Sequence, residues 1–303
     1  MAAEHAKAFI AVPGVELVGI FSRTRARAEK LAAEHGIAKV CDSVDELHAK
    51  TGAQLVVVTV VELSMNAVSR ACFAHPWTVL LEKPAGYDAH DADAIAAAAR
   101  AAGRRAFVAL NRRFYSSTRT VLDRLRGDPG PRFVRLQDQE DPIRALQAGQ
   151  PKTVVDNWMY ANSIHVVDYL RVFGRGRIAR VVPVIPWNPA APAVVVAKIE
   201  FEGGDIGLYE ALWNRPGPWV ASVSTEAARY EMRPLEEAAV QPRGERRAQS
   251  LERHAWDESF KPGLRLQAEH AVAAALDRPN DSATLDDALE SMHLVREIYG
   301  LAR

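Results

Sequence analysis

Short apolar segments alternate with amphipathic segments over the first hundred residues. Gly36 is placed to end a helix over 25–35, and Asp88 to cap one that ends before Gly103. Ser43 and Glu46 have the spacing of a capping box. The apolar segments suit parallel strands covered on both faces: ELVGIF (16–21), LVVVTV (55–60), TVLL (78–81) and RAFVAL (105–110). The pattern predicts an α/β, Rossmann-type N-terminal domain over residues 1–112.

Beyond residue 113 the apolar segments become longer and alternate with polar residues. Such alternation is typical of antiparallel strands with one covered face. A helix over 161–174 interrupts the strands, two helical segments close the chain, and the polar stretch 241–257 is predicted as a surface loop. We therefore expect an α+β domain with an open, mostly antiparallel sheet over residues 113–303. The predicted strands are RFVRLQDQ (132–139), ARVVPVIPW (179–187), AVVVAKIEF (193–201), IGLYEALW (206–213) and WVASVSTE (219–226).

The first strand of a nucleotide-binding sheet is absent from this pattern. EHAKAFIAV (4–12) resembles the latter half of a first helix, and no strand followed by Gly-x-Gly-x-x-Gly precedes it. That strand would lie between 16–21 and 55–60. Its omission predicts either a gap of about 9–10 Å in the sheet or direct pairing of the two flanking strands. Two explanations stay open, a gene start placed too late and a chain that has abandoned its cofactor.

Composition narrows the classes of protein. The 303 residues carry 38 basic and 38 acidic side chains, so no basic excess indicates nucleic-acid binding. Apolar runs are shorter than a membrane span and the N-terminus lacks a signal-peptide pattern, which predicts a cytoplasmic protein. Cys41 and Cys72 adjoin apolar segments and are interpreted as core residues, and no cluster has metal-ligand spacing.

Four motifs, in order along nearly the whole chain, carry a family resemblance. They are LLEKPAGYD (80–88), NRRFY (111–115), IHVVD (164–168) and FKPGLRLQAE (260–269). Together they resemble the Gfo/Idh/MocA oxidoreductases. The resemblance implies a nicotinamide-binding domain and a substrate domain whose sheet often forms dimers or tetramers. It also implies hydride transfer at a hydroxyl or ketone of a sugar, cyclitol or nucleotide sugar.

Lys83 and His165 are the candidate catalytic residues. Lys83 follows a parallel strand at its ligand-binding end, where an ammonium could stabilise a developing oxyanion, although a surface lysine is the alternative. In the family the matching histidine is the acid/base partner of the lysine, but the usual carboxylate one turn earlier is replaced by Ala161. The alternative is a helix start capped by Asn162 or Ser163, with a structural contact between the histidine and Asp168. We interpret Asp168 as structural.

A second group of residues is predicted to bind the cofactor. A hydroxyl followed by an arginine in Ser22-Arg23-Thr24 suits the 2′-phosphate of NADP, whereas a turn with solvated charges is the alternative. Thr59, Glu82 and Lys83 complete this set. The resemblance implies NADP or NAD, and the missing glycine loop predicts weak or no binding by the chain as given.

A third group is predicted to contact a small polyol or sugar derivative: Asn111, Arg113, Tyr115, Trp158, Tyr160, Asn162 and Trp213. Each of its aromatic residues is equally compatible with a core position. Three functions stay open at this stage. They are an NAD(P)-dependent oxidoreductase, a cofactor-free relative with non-redox chemistry or a sensing role, and a structural partner subunit. An exposed apolar sheet face also predicts a homo-oligomer.

Overall fold

The structure is a computed structural model that describes residues 1–301. Its helices, in chain order, are α1 (Ala2–Ile10), α2 (Arg25–His35), α3 (Val44–Thr51), α4 (Met65–Phe73), α5 (Ala89–Ala101), α6 (Ser116–Leu125), α7 (Pro142–Gln147), α8 (Lys152–Asp156), α9 (Ile164–Phe173), α10 (Trp256–Ser259), α11 (Leu264–Ala275) and α12 (Leu285–Tyr299). Short 3₁₀ turns span Glu62–Ser64 and Asn111–Phe114, and a π-helical turn spans Met159–Ser163.

The strands, in chain order, are β1 (Ile20–Phe21), β2 (Val40–Cys41), β3 (Leu55–Val58), β4 (Thr78–Leu81), β5 (Ala106–Val108), β6 (Phe133–Glu140), β7 (Ile178–Ile185), β8 (Val194–Phe201), β9 (Ile206–Trp213), β10 (Val220–Ser224), β11 (Ala228–Met232), β12 (Ala238–Pro242) and β13 (Gln249–Ser250). A parallel α/β unit therefore precedes a large mixed sheet, which confirms the predicted fold class.

The chain divides into two compact units. The first contains Met1–Asn111 and Ala255–Leu289, and the second contains Arg112–His254 and the residues from Glu290 onward. The sequence placed the whole of 113–303 in the second domain. The structure returns 255–289 to the first unit because the apolar face of α11 is buried there against α1 and β4, with Leu264, Ala268 and Ala271 in one cluster with Phe9 and Leu80.

The parallel strands of the first unit form two separate sheets. β3, β4 and β5 are hydrogen-bonded in that order, and β1 pairs only with β2. No ladder joins β1 to β3 within residues 1–301, so the structure has the predicted gap instead of direct pairing. Of the predicted strand 16–21 only Ile20 and Phe21 lie in a ladder. Residues 16–19 have no strand partner within the described chain. An apolar segment becomes a strand only where another backbone pairs with it.

Three helix ends in the first unit agree with the sequence. Gly36 follows α2 in the left-handed conformation, at φ 66°. The Ser43 hydroxyl accepts a hydrogen bond from the Glu46 N–H at 3.0 Å, and the Asp88 carboxylate accepts one from Asp91 at 2.7 Å. The sequence could predict these helix ends because each depends on residues within four positions of one another.

The second unit is built on one eight-stranded sheet in the order β13-β12-β11-β10-β6-β9-β8-β7. All neighbours are antiparallel except β6 and β9, which are parallel. The prediction of a loop over 241–257 was wrong in part, because β12 extends to Pro242 and Gln249–Ser250 form β13. These short, polar edge strands carry no apolar alternation that would have revealed them.

Helix α9 packs on the inner face of this sheet, against β6 and β10. Its apolar residues Val167 and Leu170 are fully buried. The predicted helix over 161–174 is continuous with the π-helical turn, and neither Asn162 nor Ser163 caps it by a side-chain bond. The capping alternative was therefore wrong, since both side chains bind β6 instead.

Three further expectations concern the whole described chain. No helix within residues 1–301 is both long enough and apolar enough to cross a lipid bilayer. Cys41 and Cys72 are both free and buried, and burial raises the pKa of the Cys72 thiol to about 12. Across the same residues, no group of His, Cys, Asp and Glu has the arrangement of a metal site.

Candidate active site

The carboxyl end of β4 carries the Glu82-Lys83-Pro84 motif of the first unit. The Glu82 side chain is buried, and its Oε1 accepts a 2.6 Å hydrogen bond from Nε2 of His5 on α1. Its Oε2 accepts the backbone N–H of Lys83 at 3.2 Å. The peptide between Lys83 and Pro84 is cis. Glu82 thus ties the strand end to α1 and fixes the backbone that bears the half-buried Lys83.

The charge of Glu82 is set by opposing effects. Burial acts to raise the pKa of this carboxyl, but the hydrogen bond from His5 and the charges of His5 and Lys83 outweigh it, so the pKa is lowered. Glu82 is therefore ionised at neutral pH. Its negative charge lies beside the Lys83 backbone and balances the cationic groups at this strand end.

His5 was missed by the sequence analysis. It lies on the buried face of α1 with Ala8 and Phe9, at the i+3 and i+4 positions. A histidine on the apolar face of a helix was the available signal, because a buried imidazole needs a polar partner.

Gly86 lets the chain pass close to the start of α5 after this motif. Its φ is 157°, and a Cβ at this position would lie 2.5 Å from the backbone nitrogen of Ala92. Any side chain would therefore clash with backbone atoms, and these cannot move aside as the end of a flexible side chain can. The close approach fixes the path of residues 82–88.

The predicted cofactor residues after β1 face the start of α4. The Arg23 Nη2 donates a 3.0 Å hydrogen bond to the Ser64 hydroxyl, and the Ser22 hydroxyl accepts one from the Thr24 N–H at 3.2 Å. The first contact joins segments that follow β1 and β3, the two strands on either side of the gap. Thr59 directly follows β3, at the same end of the parallel strands.

The first unit fits part of a dinucleotide. Hydroxyls and a guanidinium at strand ends suit the ribose and phosphate of a nucleoside, and the ionised Glu82 with Lys83 suits a polar nicotinamide end. The glycine-rich loop whose N–H groups hold a pyrophosphate has no counterpart in the sequence. The described residues therefore fit the two ends of the cofactor and not its centre.

In the second unit, Asp168 on α9 is bound on both oxygens. Arg113 donates to it twice, through Nε and Nη2, each at 2.6 Å, and the Ser291 hydroxyl donates to Oδ1 at 2.7 Å. Asp168 is 3% exposed. Three donors thus occupy both oxygens of Asp168 and hold α9 to the turn of Arg113 and to α12. The guanidinium of Arg113 is committed to the same contact.

His165 occupies the first turn of α9 and is buried to 9% exposure. One turn earlier, Ala161 is also buried, so no carboxylate stands there. The adjacent Asn162 and Ser163 both donate to Glu140 at the end of β6, each at 2.9 Å. The carboxyl group that Asn162 and Ser163 bind thus belongs to strand β6.

Glu140 and its neighbour Asp138 were also missed by the sequence analysis. The burial pattern of β6 places Val134, Leu136, Asp138 and Glu140 on its covered face. The signal was present, because the alternation that predicts the strand also predicts that both carboxyls point inward.

The remaining predicted substrate residues lie mostly in buried positions. Tyr115, Tyr160 and Trp213 are 6%, 3% and 2% exposed, and Trp158 is half-buried. The Trp213 indole N–H donates to the Tyr299 hydroxyl at 3.3 Å. Asn111, in the first unit, donates to the Pro262 carbonyl at 3.0 Å.

A cavity of about 380 Å³ opens where β6 and β11 end and β10 begins. It is lined by Gln139, Trp219, Arg233 and Glu236 together with Gly217, Pro218, Pro234 and Leu235. None of the predicted substrate residues is among the lining groups. The buried Arg112 guanidinium stacks on the Trp219 ring, 4.4 Å from its centre.

Fold and site together define an α/β nucleotide-binding unit with a Glu-Lys-Pro strand end, joined to an open-sheet unit. Residues 1–110 match the profile of the oxidoreductase family with an NAD-binding Rossmann fold, GFO_IDH_MocA. The resemblance to the Gfo/Idh/MocA oxidoreductases predicted from the sequence is thus confirmed over residues 1–110. No curated protein gives a significant sequence match.

Solved structures similar to the whole chain include three dehydrogenases. UDP-N-acetylglucosamine 3-dehydrogenase GnnA from Acidithiobacillus ferrooxidans has 17% identity and a TM-score of 0.75, covering 98% of this chain and 93% of its own. Levoglucosan dehydrogenase in complex with NADH and levoglucosan has 15% identity and a TM-score of 0.79, covering 99% and 94%. WlbA from Chromobacterium violaceum in complex with NADH and UDP-GlcNAcA has 18% identity and a TM-score of 0.72, covering 98% and 89%. At these identities the likeness concerns the fold.

Proposed function

We propose that this chain is a nicotinamide-dependent oxidoreductase that interconverts a hydroxyl and a ketone on a sugar-like molecule. The observation that carries the proposal is Lys83 at the carboxyl end of β4, beside a buried, ionised Glu82, in a region that matches an NAD-binding oxidoreductase family. Ligands of open parallel sheets bind at this end of the strands. A bound nicotinamide would supply or accept the hydride.

Lys83 and His165 are proposed to act on the same oxygen of the substrate. The Lys83 ammonium donates a hydrogen bond to the oxygen and stabilises the negative charge that develops on it, and His165 exchanges the proton. Because His165 has no carboxylate one turn before it, we expect it to contribute less than Lys83. A double-mutant cycle with Lys83→Ala and His165→Ala tests joint action. If the two residues act as a unit, the double variant should lose far less kcat than the two single losses combined.

The proposed cofactor is NADP or NAD, with Ser22, Arg23, Thr24 and Thr59 near its adenosine end. The hydroxyl and guanidinium of Ser22-Arg23 favour the 2′-phosphate of NADP. Arg23 must then exchange its hydrogen bond to Ser64 for the phosphate. Arg23→Ala should therefore weaken NADP more than NAD, and equal weakening would refute this assignment.

The proposed substrate is a sugar, cyclitol or nucleotide sugar. Support comes from the structural neighbours, whose names or bound molecules include UDP-N-acetylglucosamine, levoglucosan and UDP-GlcNAcA. The residues proposed to contact it are Asn162, the half-buried Trp158 and the buried Tyr115 and Tyr160. Asn111, Arg113 and Trp213 support the site through their protein contacts.

A homo-oligomer is proposed through the uncovered face of the large sheet. Outward positions of β8 and β9 include half-exposed Val196, Leu208 and Leu212. The same face carries the ion pair between Arg135 and Glu210. Light scattering at micromolar concentration tests this, and a monodisperse monomer would contradict it.

A cofactor-free relative is the second candidate function. It is favoured by the absence of the glycine loop from the sequence and by Ala161 in place of a carboxylate. Such a protein would bind the sugar in its second unit without redox chemistry.

Turnover with a panel of sugars and UDP-sugars distinguishes the two candidates. Wild type and Lys83→Ala are incubated with millimolar NAD, NADP or their reduced forms, and nicotinamide absorbance is followed. The proposed oxidoreductase predicts turnover that the lysine variant loses. Sugar binding by calorimetry without any nicotinamide turnover would favour the cofactor-free candidate.

A further inference from the structure

Two carboxyl groups are buried together at the inner face of β6, next to the turn that leads to His165. Asp138 is 1% exposed and Glu140 is 0% exposed, two positions apart on the covered face of the strand. Two carboxylates buried this close repel each other, which favours a proton on the pair. The two carboxyls therefore titrate as one coupled unit.

The surrounding groups favour a negative charge on Asp138 over one on Glu140. Burial raises the pKa of both carboxyls, but for Asp138 the Tyr209 hydroxyl at 2.7 Å and the positive charge of Arg112 oppose the effect. For Glu140 the charge of Asp138 adds to burial, and its pKa lies well above the ordinary value. Glu140 is therefore the carboxyl on which a proton is favoured.

The other groups facing the pair are neutral. Tyr209 and Tyr299 hydrogen-bond to each other at 3.0 Å, and burial raises the pKa of both hydroxyls. The Ser163 hydroxyl also lies 3.3 Å from the Tyr299 hydroxyl. The positive charge of Arg112 acts on Asp138 and favours its ionised form.

Glu140 orients the side chain of Asn162. The Asn162 amide N–H donates to Glu140 Oε2, while the Ser163 hydroxyl donates to Oε1. With its amide nitrogen directed at Glu140, Asn162 turns its carbonyl oxygen the other way. Within residues 1–301 this half-exposed oxygen has no hydrogen-bond partner.

We propose that Glu140 is a positioning residue of the active site, which holds the π-helical turn before His165 and presents the Asn162 carbonyl oxygen as an acceptor for a substrate hydroxyl. This inference rests on the proposed function, because the hydroxyl belongs to its substrate. Glu140 itself makes no contact with the reacting atoms. Glu140 acts on the π-helical turn from strand β6, whereas residue 161 within the turn is alanine and offers no carboxylate.

Three variants of the holoprotein test the proposal. Glu140→Gln can still accept the Asn162 N–H on its carbonyl oxygen, while its amide N–H faces the Ser163 hydroxyl as a donor, and it cannot ionise. Glu140→Ala removes both contacts, and Asp205→Asn is a matched control. Asp205 is a fully buried carboxylate bound by Arg175. It directly precedes β9, whose opposite end pairs with Glu140. It should affect stability without affecting the substrate.

We expect Glu140→Ala to raise KM about three- to tenfold, the effect of one neutral hydrogen bond, and Glu140→Gln to stay within about twofold of wild type. The melting temperature of Glu140→Gln should exceed that of wild type by a margin that grows as the pH rises above Glu's ordinary pKa of about 4.3, because only the wild-type carboxyl ionises more readily in the unfolded chain than in the fold. A melting-temperature loss in Glu140→Ala with unchanged KM, as in Asp205→Asn, would overturn the positioning role.

Two measurements need no substrate and separate this inference from the proposed function. The infrared band of a protonated carboxyl should be present in wild type and absent from Glu140→Gln. The Asn162 side-chain amide should exchange hydrogen slowly in wild type and Glu140→Gln and rapidly in Glu140→Ala. A missing band, or equally fast exchange in all three proteins, would refute the proposal whether or not turnover is found.

Discussion

Removing the carboxylate of Asp168 should destabilise the second unit strongly. Asp168 is 3% exposed, and the Arg113 side chain that donates to it twice is 17% exposed. Asp168→Asn keeps the size of the side chain but leaves this guanidinium without its counter-charge. Breaking a buried pair from one side costs about 3–5 kcal/mol, and the partial exposure of Arg113 favours the lower end, about 3 kcal/mol.

The matched control is an exposed ion pair in the same unit. Lys152 and Asp156 face each other one helical turn apart, with side chains 77% and 55% exposed. For Asp156→Asn we expect a loss of about 0.3–0.5 kcal/mol. The comparison separates the effect of burial from the effect of removing a carboxylate.

Urea unfolding at neutral pH followed by tryptophan fluorescence measures both variants. Four tryptophans report on the second unit: Trp158, Trp187, Trp213 and Trp219. The double variant Arg113→Met with Asp168→Leu should lose much less than Asp168→Asn alone, because no uncompensated charge remains. A loss for Asp168→Asn as small as that for Asp156→Asn would refute the reasoning.

Three further predictions follow from the first unit. Lys83→Ala should lower kcat more than it raises KM, by about 10²-fold or more, because its contact strengthens as charge develops; steady-state kinetics checks this, and a near-normal kcat would remove Lys83 from the mechanism. Glu82→Gln should be less stable than wild type at neutral pH. This difference should shrink as the pH falls from Glu's ordinary pKa of about 4.3 through the lowered pKa of Glu82, because the carboxylate stabilises the fold only while it is ionised. An unfolding series across pH that shows a constant difference would contradict this prediction. The chain as given should bind NADP only weakly in calorimetric titration, since one charge-assisted contact contributes roughly 1.5–3 kcal/mol, and micromolar affinity would be incompatible with this estimate.

Local signals in the sequence predicted the elements that depend on neighbouring residues. These elements depend on residues a few positions apart. They are the end of α2 at Gly36, the caps at Ser43 and Asp88, and the alternation of β8 and β9. The place of α11 in the first unit was not predictable in this way. Its burial against α1 depends on residues more than 250 positions apart, and nothing local to either helix specifies the partner.

The candidate site was predicted unevenly for the same reason. The motif around Lys83 and the helix of His165 are contiguous stretches, so the sequence identified them directly. The His5–Glu82 contact spans 77 positions, and the contact from Glu140 to Asn162 spans 22. In both cases a polar residue on a buried face was the visible signal, while its partner depended on the tertiary fold.

Transfer of deuterium from a labelled reduced nicotinamide to a sugar ketone tests the central claim most directly. The protein is incubated with the 4-deuterated cofactor at millimolar concentration and the keto-sugar found in the turnover panel, and the product is analysed by mass spectrometry and NMR. We predict one deuterium on the carbon that carried the ketone, and its loss in Lys83→Ala. A product without deuterium, or transfer that Lys83→Ala leaves unchanged, would contradict the account.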